Sequence, residues 1–188
     1  MHEELKRSFD RVEEQKATLL ARVAARSEAE QVRERAGGGW SPRALVHHLI
    51  LAEEQVLNQI GAAAAVATPN RVPASRRPLV ALLAGAMRAG VPLPAPPQMT
   101  PPSDANDLLS PGEAVVRWNA VRRTLRDRLE AAAPETVRSA PLALHPVVGP
   151  LDAFQVLNLL DAHLVYHLRQ AARWGAAAEA RTSKKPGG

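Results

Sequence analysis

The chain has 188 residues, 46% of them hydrophobic, which is enough for one domain with a buried core and excludes a disordered composition. It has no cysteine, so disulfides, thiolate metal sites and a cysteine nucleophile are excluded. The net charge is +5 and the pI about 10.4. Arginine is interleaved with glutamate and aspartate, however, so the runs around Arg122, Arg123, Arg126 and Arg128 and around Arg181, Lys184 and Lys185 read as a solvated face and a frayed tail, and nucleic acid is not an expected partner.

The opening MHEELKRSFDRVEEQ is too charged for a secretory leader. No apolar run approaches the roughly 20 residues of a membrane helix. The expected location is therefore cytoplasmic, with no membrane partner. From about Glu3 to Ala25, Leu5, Phe9, Val12, Leu19, Leu20 and Val23 recur at steps that fit one helical face, and Gly37 to Gly39 break any continuation. Ser41 and Pro42 then read as the cap and first turn of a second helix running to about Ala65, with Leu45, Leu49, Ala52, Val56 and Ile60 as its buried stripe.

A short amphipathic piece over about 76–88 precedes VPLPAPPQMTPP, which holds six prolines in twelve residues. Proline removes donors and blocks helix, so this stretch is an extended crossover, either a plain strap between helices or a lid over a site. Ser110, Pro111 and Glu113 form a capping box for a helix with the stripe Ala114, Trp118, Val121, Leu125 and Leu129, ended by Pro134. Asp152 and Gln155 form a second box for the last helix, which Gly175 stops, leaving a flexible tail over 176–188. No segment alternates with period two, so no strand is expected. The fold expectation is all-α: a single bundle domain over 1–175, built from four long helices with one short extra helix.

The histidines carry the chemistry. In the last helix Ala153, Val156, Leu160, His163, His167, Gln170 and Trp174 step by three and four along one core-facing seam. Imidazoles four residues apart can reach one ion. His48 lies close to the stripe of Leu45 and Ala52 in the second helix, with His47 rotated about 100° toward the edge. Three imidazoles from two helices can thus converge, and three histidines with an open fourth position is the layout of a catalytic zinc site that also suits nickel, copper or iron(II). The competing reading is three core histidines, each satisfied by a hydrogen bond. Catalytic candidates are Glu53 and Tyr166, with Glu54 and Asp161 as further acceptors or proton shuttles, although ordinary surface roles explain them as well. His145 sits in a His-Pro turn, a structural residue or a substrate contact.

WSPRALVHHLILAEE resembles the Trp-Ser…His-Leu…Glu signature of the DinB-like (DinB/YfiT) superfamily, and HPVVGPLDAFQVLNLLDAHLVYHLRQ resembles its closing signature. The correspondence runs from about Leu5 to Trp174. It implies a four-helix bundle with up-down-down-up connection, which needs a crossover such as the proline-rich stretch. It also implies a metal site on His48, His163 and His167, with zinc or nickel the leading expectation, and a homodimer. Relatives include thiol S-transferases using low-molecular-weight thiols such as bacillithiol or mycothiol, maleylpyruvate isomerases and metal-dependent hydrolases. The expected function is therefore metal-dependent S-transfer or hydrolysis on a small-molecule substrate. The alternative is a non-catalytic bundle with a structural metal or none, acting through dimerisation or a protein partner.

Overall fold

The computed structural model describes residues 1–34, 38–65, 71–133 and 135–174. The expected stops at Gly37, Pro134 and Gly175 and the expected tail over 176–188 lie outside the described residues. Four long helices form the bundle: α1 (Glu3–Ala24), α3 (Pro42–Ala65), α5 (Pro111–Glu130) and α6 (Ala153–Ala171). Two shorter ones are added, α2 (Glu28–Val32) and α4 (Arg77–Ala89), where the sequence suggests only one. Five residues are too few to show a stripe, which is why α2 has no periodic signature.

The stripes fold as their spacing requires. Leu5, Phe9, Val12, Leu19 and Val23 of α1 are buried, as are Leu45, Leu49, Ala52 and Ile60 of α3 and Ala114, Trp118, Val121, Leu125 and Leu129 of α5. Burying a large apolar side chain contributes about 1.5–3 kcal/mol, so these faces dominate the cohesion of the bundle. Lys16 fills the gap between Val12 and Leu19. Its ammonium donates to Glu13 at 2.7 Å and to Asn119 on α5 at 3.0 Å, so this buried charge is compensated.

Both capping boxes form. The Glu113 amide donates to Ser110 Oγ at 3.3 Å and the Ser110 amide to Glu113 at 2.8 Å; Asp152 and Gln155 exchange the equivalent bonds at 2.9 and 3.0 Å. Gly90, with φ 82°, supplies the left-handed residue that ends α4. Helix α6 packs against α1 and α4, and α3 packs against α5.

One expectation is corrected. The stretch before α6 contains a small antiparallel hairpin, β1 (Ala143–His145) paired with β2 (Gly149–Leu151), with Ala143 opposite Leu151. Strands of three residues are too short to display alternation. The hairpin owes its existence to packing on α3 and to Gly149, whose φ of 77° suits the tight return. It runs directly into the Asp152 cap and so sets where α6 begins.

The crossover over 91–109 includes single 3-10 turns at Pro97–Met99 and Ala105–Asp107. Arg43 of α3 donates to the Leu108 and Leu109 carbonyls at 2.6 and 2.9 Å, which ties the strap to the start of that helix.

Candidate metal centre

The start of α6 at Asp152 fixes the rotational phase of His163 and His167, and the start of α3 at Ser41 fixes that of His48. These three side chains meet. His163 Nε2 lies 3.2 Å from His48 Nε2 and 2.9 Å from His167 Nε2. One ligand nitrogen from each ring lies within 4.8 Å of the other two, so the group could hold a metal ion. His48 and His167 are each 3% exposed, while His163 keeps partial contact with solvent.

The outer nitrogens decide what the inner ones can do. His48 Nδ1 is 2.7 Å from the Met99 carbonyl, which only accepts, so Nδ1 carries the proton and donates. His167 Nδ1 likewise donates to Gln170 Oε1 at 3.0 Å. In the neutral rings both Nε2 atoms then present lone pairs toward His163 Nε2. A single N–H on His163 serves one such acceptor well and two poorly, whereas a cation serves three nitrogens together. Ligands about 2.0–2.1 Å from a tetrahedral zinc stand roughly 3.3 Å apart, close to the separations observed. The donor set fits a divalent metal.

Burial, reinforced by the neighbouring imidazoles, holds the His163 pKa well below its ordinary 6.5. Burial, then the charge of His48, lowers that of His167 to about 3 against the opposing bond from Gln170. His48 is lowered by burial, with its Met99 bond acting the other way. All three rings are therefore neutral at pH 7, the form that binds metal. Trp40 lies over His48 with ring centroids 4.3 Å apart, and Tyr166 meets the His167 ring edge-on at 4.9 Å.

Of the other candidates, Tyr166 is thus at the cluster. Glu53 is buried and pairs at 2.6 Å with Arg122 of α5, itself buried; its direction differs from that of His48 by about 140° around α3. Glu54 accepts two bonds from Arg117 at 2.6 and 2.7 Å. Asp161 accepts from Gln15 and Arg88, on the side of α6 away from the imidazoles. His47 is buried outside the cluster, and burial followed by the charge of Arg117 lowers its pKa. His145 Nδ1 accepts from the Val147 and Val148 amides at 3.1 and 3.3 Å and so closes the hairpin turn. Sequence reasoning missed the roles of Met99, Gln170 and Trp40. The three-residue spacing of His167 and Gln170 is a usable signal for one; Met99 is 51 residues from His48 and carries none.

A family model described as the DinB superfamily matches residues 11–171. No curated protein and no solved structure matches the chain.

Proposed function

The chain belongs to the DinB superfamily, and from that premise we propose that it is a divalent-metal-dependent enzyme that transfers a small-molecule thiol to an electrophile or hydrolyses a small molecule. The observation that carries this reading is the convergence of three imidazole nitrogens, two of them with outer nitrogens tied down by Met99 and Gln170. His48, His163 and His167 are the ligands, and zinc or nickel is the ion they suit. A bound ion with an open position lowers the pKa of a thiol or water and yields a nucleophile near neutral pH.

The protein's own part is to present and hold the three nitrogens. Met99 and Gln170 fix two rings in the tautomer that points Nε2 inward. The Trp40 ring and the strap cover His48, and the partly exposed His163 marks the side from which a substrate arrives.

Untagged protein reconstituted with zinc or nickel is assayed for consumption of a low-molecular-weight thiol with an alkylating electrophile, and for ester hydrolysis. The expected result is turnover in one assay that is lost on chelation and in His163→Ala. Metal-loaded protein inert in both would favour a non-catalytic role for the centre.

A further inference from the structure

The face of α6 opposite the imidazoles lines a second site. Phe154, Leu157 and Asp161 point about 120–180° away from His163 around the helix and border a cavity of about 440 Å³ between α1, α4 and α6. Four arginines reach it: Arg11 from α1, Arg77 and Arg88 from α4, and Arg138 from the segment before β1. Two are already engaged. Arg88 donates to Asp161 and Asn158 at 2.5 and 2.7 Å; Arg138 pairs with Glu4 and lies 3.9 Å from the centroid of the Phe154 ring. Arg11 and Arg77 make no hydrogen bond, close ion pair or ring contact among the described residues, and Arg77 acts on the Asp152 carboxylate only at longer range.

The acids in the lining do not cancel this charge. Asp161 is paired with Arg88, and Asp152, 4% exposed, caps α6 and feels the charges of Arg77 and Arg138, so two acids stand against four arginines. Four arginines against two carboxylates therefore leave the lining with excess positive charge, to which Arg11 and Arg77 contribute without a close ion pair. We propose that this cleft binds a phosphate-bearing small molecule. Guanidinium groups match phosphate oxygens with paired donors, and two of them balance the double charge of a phosphomonoester. The space is of ligand size rather than ion size, and Val80, Leu157 and Phe154 give it apolar walls for an organic body. The site stands apart from the metal centre, so its failure would leave that reading untouched.

The test is calorimetric titration of the full chain with phenyl phosphate at constant ionic strength, beside three variants. Expected are one saturable site in the parent and weakening by about ten-fold or more in Arg11→Ala/Arg77→Ala. Ala81→Phe, which fills the cavity without changing charge, should also abolish binding. Arg123→Ala/Arg128→Ala, which removes the same charge elsewhere, should leave it intact. The proposal is overturned by absence of saturable binding in the parent, by binding that survives Ala81→Phe, or by equal loss in the two double-arginine variants.

Discussion

At the scale of single residues, neutral buried histidines and one buried ion pair govern what the centre tolerates. His167 takes up a proton near pH 6.5 in the unfolded chain but only at about 3 when folded. Between those values the unfolded chain holds a proton that the folded chain lacks. Stability of the metal-free protein therefore rises with pH from about 3 to about 6.5 and levels off above, with up to about 1.4 kcal/mol per pH unit from His167 alone. His48 and His163, shifted in the same direction, steepen the slope. Urea midpoints in chelator at pH 5 and pH 7.5 check this, and a higher midpoint at pH 5 would contradict it. Glu53 gives a second prediction. Its partner Arg122 is 2% exposed, so Glu53→Ala leaves a buried guanidinium without its main counter-charge and costs about 3–5 kcal/mol. Denaturant unfolding of the variant measures it; a change under 1 kcal/mol would mean that the pair carries little of the fold.

At the scale of elements, some features are legible in the sequence and others are not, for a physical reason in each case. Helices α5 and α6 announce themselves because Ser110 with Glu113 and Asp152 with Gln155 are local chemical signals, and because their stripes span many turns. Ser110→Ala should accordingly cost about 1 kcal/mol in a thermal or denaturant melt, since it removes one cap bond from a half-buried position. The hairpin and α2 are invisible because each is too short to carry a period. The contact of the strap with His48 is invisible because a main-chain carbonyl from 51 residues away leaves no residue-type signature. Replacing residues 96–99 by Gly and Ser should loosen the Met99 carbonyl and weaken metal affinity about 10–100-fold, with little change in the unfolding midpoint of the metal-free protein. Competition with a metallochromic chelator reads the affinity, and unchanged affinity would show that the strap does not orient His48.

At the scale of the whole molecule, a single bundle brings together motifs that the chain keeps far apart. His48 and His163 are separated by 115 positions, yet each sits on a core-facing stripe whose phase is set at its own helix start. That is why the cluster could be anticipated from spacing, while the tautomers and the burial that keep the rings neutral could not. No helix among the described residues is long and apolar enough to cross a membrane. Helix α6 presents imidazoles on one face and borders the arginine cleft on the other, so one element positions both candidate sites.

The central claim is that His48, His163 and His167 hold a metal ion. Elemental analysis of untagged protein, beside His163→Ala, tests it most directly. The account predicts about one divalent ion per chain in the parent and its loss in the variant. No bound ion after supplementation with zinc and nickel, or an equal metal content in the variant, would contradict it.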